Sequence, residues 1–350
     1  MSQRCCQGSR LLFGSLIVIA TLLLLTFHLH PRRQLLVTKL NQVDWEVAWR
    51  VQWWDWKDTK EEIYCRATHN DSTHGKEPIP NILHFVLLSP PGVKAELDYR
   101  HFLALKAAVL RAKAEEIKLH TTGLNEHNHF WKQLRPHVTL VHVESRHYFT
   151  VDETVQDEDS ILPHESDFLR LEILRNEGGI YLDLDVYVLK PLTDFLDNPR
   201  DTIMGHEGGN RYGLCNAVIL SRPGSAFLKL WEKGHENFDP NVWNYHSVRL
   251  PKQLQVTHPD LICPLSPTVF FWPTWAPEHV RYMHEEILTS TARAKMEADL
   301  QLYDGAMYGN QVAFHAASAK EQMAGMSVDT IELVDTRFNI LLREVARAEL

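Results

Sequence analysis

The stretch SDFLRLEILRNEGGIYLDLDVYVLKPL, Ser166–Leu192, decides the fold and raises the question of function. It places two aspartates, Asp183 and Asp185, one residue apart inside an otherwise apolar run. An apolar run normally excludes carboxylates, because a buried charge without a partner is costly. The two side chains therefore predict a partner of opposite charge.

The first half of this stretch predicts a helix. Ser166 is a good N-cap, and apolar residues then recur at helical spacing as far as Asn176. The pair Gly178–Gly179 predicts the end of the helix. Asp167 and Arg170 lie three residues apart on it, which fits either an ordinary surface ion pair or a functional pair.

The second half, IYLDLDVYVL at 180–189, predicts a strand that carries both aspartates on one face. Two carboxylates at that spacing repel each other unless a cation or a hydrogen-bond donor lies between them. A hard divalent ion with oxygen ligands, Mg²⁺ or Mn²⁺, removes the conflict and can bridge the protein to phosphate oxygens.

The surrounding sequence alternates strands and helices. Strand patterns at 81–89, 116–122 and 138–144 are separated by helical patterns. This alternation predicts an α/β fold with a parallel sheet, in which ligands bind beyond the carboxyl ends of the strands.

The N-terminal region predicts a membrane anchor. Residues 11–29 carry no charge, and about 20 apolar residues span a bilayer, whereas the apolar core of a signal peptide is usually about 7–15 residues long. We therefore expect a cytosolic tail at 1–10, a transmembrane helix at 11–29, a stem and linker at 30–77 and a catalytic domain at 78–350. A glycosylation sequon at Asn70 favours a lumenal domain, and so a single-pass type II protein of the Golgi or secretory-pathway membrane.

The composition and the cysteines limit the possible partners and disulfide bonds. The net charge of −9 gives no reason to expect a nucleic-acid partner, which requires a basic surface. Cys65, Cys215 and Cys263 allow at most one disulfide among themselves, and the pairing is open. The oligomeric state is unknown at this point.

The pattern S-D-x-x-R followed by G-G-x-Y-x-D-x-D resembles the sugar-binding DXD region of glycosyltransferase family 32 and its relatives. Weaker similarity extends to IPNILHFVLL at 79–88 and NAVILSRPGSAFL at 216–228. The resemblance implies a GT-A fold and a nucleotide-sugar donor, UDP- or GDP-linked. It also implies a divalent metal, usually Mn²⁺, and transfer with retention of anomeric configuration.

The resemblance also implies roles for individual residues. Asp185 looks like the main metal ligand, with Asp183 as its partner and His315 as a further ligand. The family usually has Ser-Trp shortly after that histidine, whereas this chain has Ser318 and no tryptophan there. The residues that would bind the donor are Asp167, Arg170, Tyr181, His84, Phe85 and Asp183. Arg170 joins the two aspartates as a catalytic residue, and Asn216 would line the acceptor side.

Two other functions fit parts of the pattern. IYLDLDVYV resembles the loop of haloacid-dehalogenase phosphatases, in which Asp183 would be the nucleophile and Asp185 the acid. Alternatively, the chain is a membrane-anchored GT-A subunit without activity of its own. The acceptor, whether lipid, glycan, protein or small molecule, is not identified by any motif.

Overall fold

The computed structural model describes residues 57–67, 76–146, 148–149, 160–317 and 319–350. The predicted tail, the predicted anchor and the sequon at Asn70 lie outside these ranges and stay predictions. Among the described helices, none has the length and apolar character needed to cross a membrane.

The described part of the chain contains strands that belong to two sheets. They are β1 (Ile82–Leu87), β2 (Glu116–Thr121), β3 (Thr139–His142), β4 (Gly179–Leu182), β5 (Val186–Val188), β6 (Thr202–Glu207), β7 (Gly213–Ser221), β8 (Ile262–Leu265) and β9 (Ala313–His315). The main sheet has the order β3-β2-β1-β4-β7-β6-β8, and β5 pairs with β9 in a separate ribbon.

The predicted parallel sheet is confirmed for β1 to β4, and the sheet as a whole is mixed. β1 pairs in parallel with both β2 and β4, and β2 pairs in parallel with β3. β7 runs antiparallel to both β4 and β6. The short connection between β6 and β7 explains the change, because strands joined by a short turn pair antiparallel, whereas parallel neighbours need a long crossover.

Helices cover the sheet. They are α1 (Lys60–Arg66), α2 (Tyr99–Arg111), α3 (His129–Leu134), α4 (Ile161–Glu177), α5 (Ala226–Gly234), α6 (Leu250–Thr257), α7 (Pro267–Phe270), α8 (Pro277–His284), α9 (Ser290–Leu302), α10 (Lys320–Met323), α11 (Val328–Leu333) and α12 (Arg337–Arg347). Neighbouring residues of β4 point into different apolar clusters, Ile180 into one and Tyr181 into the other. The sheet is therefore buried on both faces, as the continuous apolar strands predict.

Helix α4 is longer than its sequence pattern suggests. Its N-cap is Ser160 rather than the predicted Ser166, which lies inside the helix. Pro163 falls in the first turn, where a missing N–H is tolerated, so the proline does not stop the helix. Ser166 instead accepts a hydrogen bond on its side chain from Arg170 Nη2 at 3.2 Å.

A disulfide settles the cysteine pairing. Cys65 of α1 is bonded to Cys263 of β8, with 5.3 Å between their Cα atoms, and Cys215 is free and buried. Glu62 of α1 is 1% exposed and accepts hydrogen bonds from His206 Nδ1 at 2.9 Å and Arg211 Nε at 2.6 Å. Helix α1, which the predicted boundaries assign to the stem, is thus held covalently and by a buried ion pair to the domain that contains the sheet.

Removing this disulfide should destabilise the protein. For the double variant Cys65→Ala, Cys263→Ala we expect the free energy of unfolding to fall by about 2–5 kcal/mol, because the crosslink restricts the unfolded chain. Denaturant unfolding measures the loss. A reductant should lower the melting temperature of the wild type and of Cys215→Ala but not that of the double variant. An equal response of all three proteins would contradict the pairing.

Candidate active site

The connection from α4 to β4 requires glycine. Gly178 ends the helix with φ +69°, and its N–H donates to Leu174 O at 2.9 Å. Gly179 has φ +104°, and a Cβ built on it would lie 2.6 Å from Ile82 O of β1. The predicted glycine stop is confirmed, and it also brings the chain close against the neighbouring strand.

Gly179→Ala should therefore lower the free energy of unfolding more than an alanine substitution at another glycine with positive φ. We expect a loss of roughly 2–5 kcal/mol in unfolding free energy, from backbone strain plus the clash with Ile82 O. Gly92→Ala is the matched control, since Gly92 has φ +78° but nothing within 4 Å of its Cβ position. Its expected cost is only about 1–2 kcal/mol, and chemical denaturation compares the two. Equal losses would show that the clash contributes nothing.

The two aspartates lie in a turn between two sheets. The prediction of one continuous strand over 180–189 is wrong here, because β4 ends before Asp183 and β5 begins after Asp185. The N–H of Asp183 donates to Ala217 O of β7 at 2.9 Å, and Asp185 O accepts from Ala316 N at 3.0 Å. Aspartate is favoured in turns, and this turn rather than strand alternation brings the carboxylates together.

His315 joins the aspartates through the second sheet. The pairing of β5 with β9 sets His315 opposite Val186, the residue after Asp185. Ligand atoms of Asp183, Asp185 and His315 all lie within 4.8 Å of one another, and His315 Nε2 is 3.3 Å from Asp185 Oδ1. Two carboxylates and an imidazole suit Mn²⁺ or a similar divalent ion, so this donor set fits the predicted metal.

The electrostatic interactions among Asp183, Asp185 and His315 shift the pKa of each group. Burial raises the pKa of Asp183, and repulsion from Asp185 adds to this, while Arg170 opposes it. For Asp185, burial acts in the same direction, but the neighbouring His315 outweighs it and the pKa is lowered. Burial disfavours charged His315, yet Asp185 holds its pKa well above the usual value. A cation between the carboxylates would relieve their repulsion.

Arg170 connects the aspartate turn to helix α4. The side chain is 4% exposed, its Nη2 lies 3.0 Å from Asp167 Oδ1, and its Nη1 lies 3.1 Å from Asp183 Oδ1. Nη1 also donates to Asn216 O at 3.0 Å, and Asn216 Nδ2 donates to Asp167 Oδ1 at 2.7 Å. The pair Asp167–Arg170 is therefore buried and shared with the aspartate turn, and the alternative of an isolated surface ion pair is excluded.

Tyr181 holds Asp183 in place. Its hydroxyl donates to Asp183 Oδ1 at 2.6 Å, and its ring lies under the guanidinium of Arg170, 4.4 Å from Cζ to the ring centroid. Burial raises the pKa of Tyr181 well above its usual value, so it remains a hydrogen-bond donor. One network thus unites most of the predicted site residues: Asp167, Arg170, Tyr181, Asp183, Asp185, Asn216 and His315.

His84 and Phe85 are not part of this network. Both are completely buried in β1, and Phe85 belongs to the apolar core. The ring nitrogens of His84 contact Gly178 O at 3.0 Å and His120 Nε2 at 3.1 Å. Gly178 precedes β4, whereas the aspartates follow it, so the structure places His84 at the opposite end of that strand.

Two residues that the sequence did not assign to the site, Glu207 and Cys215, interact electrostatically with His315. Glu207 ends β6, is 8% exposed, and has its pKa raised to about 7 by burial, with His315 opposing the shift. Burial likewise raises the pKa of Cys215 to about 11, and the charge of His315 opposes this shift. The sequence feature that could have identified Glu207 is its position at the end of the apolar segment TIMGHE, residues 202–207.

Comparison with known proteins gives a family match for the part of the chain that contains the aspartate turn. Residues 120–207 match the model of the glycosyltransferase sugar-binding region containing DXD motif. The chain carries a DXD-type glycosyltransferase region. The match includes Asp183 and Asp185, so the predicted family resemblance is confirmed for the region that contains the two aspartates.

Two curated relatives are similar to this chain to different extents. Glucan organizing enzyme 1 of Cryptococcus neoformans var. grubii is 36% identical over 220 residues, which cover 59% of this chain and 58% of that protein. Subversion of eukaryotic traffic protein A of Legionella pneumophila is 39% identical over 66 residues, 18% of this chain and 10% of that one. The chain thus spans well under two thirds of either relative.

Solved structures give more distant likenesses. PaToxG glycosyltransferase is 15% identical with a TM-score of 0.38, over 77% of this chain and 87% of that chain. Mouse xyloside xylosyltransferase 1 is 13% identical with a TM-score of 0.38, over 67% of this chain and 97% of that chain. The α/β fold described above stands on its own sheet order and does not depend on either likeness.

Proposed function

We propose that the chain is a metal-dependent retaining glycosyltransferase of the GT-A type. It transfers a hexose from a UDP- or GDP-linked sugar to an acceptor of the secretory pathway. The single observation that supports this most is the shared network in which Arg170 bridges the metal-ligand cluster to Asp167. A site for a cation and a diphosphate is thereby coupled directly to a buried carboxylate–arginine pair suited to sugar hydroxyls.

Each residue contributes a separate part of the reaction. Asp183, Asp185 and His315 would hold Mn²⁺, which supplies electrostatic stabilisation of the departing diphosphate. Tyr181 orients Asp183 through its hydroxyl. Arg170 fixes Asp167, whose second oxygen can accept a hydrogen bond from a donor-sugar hydroxyl. These groups are already arranged before substrate arrives, which reduces the reorganisation needed in the transition state.

Retention is proposed to follow from attack on the face from which the diphosphate leaves. The acceptor hydroxyl bonds to the anomeric carbon as the sugar–oxygen bond to the diphosphate breaks, and its proton passes to the diphosphate oxygen. Glu207 offers the competing route, because a buried carboxylate near His315 could attack first. Mass spectrometry of the peptide that contains Glu207, after rapid quenching, distinguishes the routes: a glycosylated Glu207 would replace same-face attack by two successive displacements.

The location is proposed from the sequence, with support from the disulfide. Bonds such as Cys65–Cys263 persist in oxidising compartments and are rare in the cytosol. A single anchor at 11–29, with the catalytic domain in the Golgi or secretory lumen, is consistent with this. The name of the fungal relative makes glucan oligosaccharides a sensible first acceptor to test.

The test is turnover of nucleotide sugars by the full-length chain. We expect slow Mn²⁺-dependent release of UDP or GDP from one sugar of a panel, loss of release with EDTA, and recovery on adding Mn²⁺. The alternative, an inactive GT-A subunit, predicts no release from any sugar. Calorimetry with UDP and GDP then completes the comparison, since the inactive subunit predicts no Mn²⁺-dependent binding of either nucleotide.

A further inference from the structure

Trp243 is an exposed aromatic residue at one end of the active-site network. It is 57% exposed, whereas residues 246–248, shortly after it, are buried. His246, three residues later, is 3% exposed and accepts at its carbonyl from Trp231 Nε1 at 2.8 Å. Asn244 Nδ2 donates to Tyr212 OH at 2.9 Å. Hydrogen bonds therefore hold the residues next to the exposed indole in place.

A row of contacts connects Trp243 to the metal ligands. Its ring centroid is 5.3 Å from that of His164, and His164 Nδ1 is 3.7 Å from Asp167 Oδ2. Asp167 in turn contacts Arg170, which contacts Asp183. His164 cannot turn away easily, because it is 2% exposed and its Nε2 contacts Pro240 O at 3.1 Å. In this row Trp243 is linked to Asp167 through His164, and Asp167 is linked to Asp183 through Arg170.

We propose that Trp243 is the surface on which a sugar ring of the acceptor stacks, so that the acceptor of this enzyme is a saccharide or carries a terminal sugar. The proposal rests on the function proposed above. If the metal end of the row holds the diphosphate and Asp167 with Arg170 holds the donor sugar, the next position along the row is where the acceptor approaches. Trp243 occupies that position.

The surroundings of Trp243 favour a sugar over a lipid chain. Its exposed neighbours in sequence are polar, including Asn237, Asp239 and Asn241. A pyranose presents C–H groups on its face and hydroxyls at its edge, which matches one indole face with a polar rim. A lipid chain would need a contiguous apolar patch, and among the residues that the structure describes these exposed neighbours do not provide one.

The experiment compares Trp243→Ala and Trp243→Phe in the full-length chain, without sugar-headed detergents. The first readout is saturation-transfer NMR with lactose, maltose and cellobiose at millimolar concentration. The second is the steady-state rate with the same disaccharides as acceptors, which separates KM from kcat. We expect Trp243→Ala to lose about tenfold in disaccharide affinity and to raise the acceptor KM by a similar factor, with Trp243→Phe close to wild type. Leu288→Ala, at a side chain that is 85% exposed, is the control and should change neither readout.

Each outcome decides the proposal. Disaccharide binding that is absent from wild type, or equal in Trp243→Ala and wild type, overturns it. Trp243-dependent binding to phosphatidylcholine vesicles in place of disaccharides also overturns it, in favour of a membrane contact. Disaccharide binding that depends on Trp243, in a chain that turns over no nucleotide sugar, would support Trp243 as the sugar-stacking surface and refute the proposed transferase function. The failure of one proposal can therefore be distinguished from the failure of the other.

Discussion

Asp185→Asn is expected to lower the rate of sugar transfer by roughly 10²–10³-fold or more, because it weakens the hold on the cation that neutralises the leaving diphosphate. The fold should survive. The variant loses the contact with His315 at 3.3 Å but also relieves the repulsion between Asp185 and Asp183. The two effects oppose each other, so we expect the unfolding free energy to change by no more than about 1 kcal/mol.

The measurements are transfer rate with saturating Mn²⁺, calorimetric binding of Mn²⁺–UDP and Mn²⁺–GDP, and thermal unfolding. Asp260→Asn is the matched control, since Asp260 is 96% exposed and only approaches Arg200 at 3.7 Å. It should behave as wild type in all three measurements. If Asp185→Asn retained full activity and nucleotide affinity, the assignment of the metal site would have to be abandoned.

Arg170→Ala is expected to have the second large effect, and mainly on stability. The guanidinium contacts Asp167 and Asp183 and is nearly inaccessible to solvent. Its removal leaves two carboxylates without their cation, which typically costs about 3–5 kcal/mol. Activity should also be lost, because Asp167 is no longer held for the donor sugar.

Arg175→Ala provides the comparison within the same helix. Arg175 pairs with Glu232 at 3.0 Å, but its side chain is 38% exposed, so we expect a loss of at most about 1 kcal/mol. Urea unfolding of both variants, with and without Mn²⁺, measures the difference. Similar small losses in both would mean that Arg170 is not the structural centre of the network. A stable Arg170→Ala that binds nucleotide but not the donor sugar would assign it to substrate alone.

The sequence predicted the local elements of the site better than their arrangement. The helix stop at Gly178 and the proximity of Asp183 to Asp185 followed from glycine chemistry and short spacing. The turn at the aspartates could not be predicted in this way. An alternating apolar pattern does not reveal that β5 leaves the main sheet to pair with β9 some 125 residues later.

Long-range packing explains the remaining differences. His84 lies in an apolar strand pattern like its neighbours, and only the tertiary structure shows that both of its ring nitrogens already have partners. Glu207 ends an ordinary strand, and only its burial and its interaction with His315 identify it as a candidate site residue. Such properties depend on residues far apart in the chain, which local propensity and motif spacing do not encode.

If residues 11–29 anchor the chain as the sequence predicts, the bond between Cys65 and Cys263 has a consequence for its release from a membrane. Proteolysis anywhere between residues 67 and 262 cuts the chain but leaves the two fragments joined through sulfur. Release of the described domain from such an anchor would therefore require either a cut upstream of Cys65 or a reductant together with the protease.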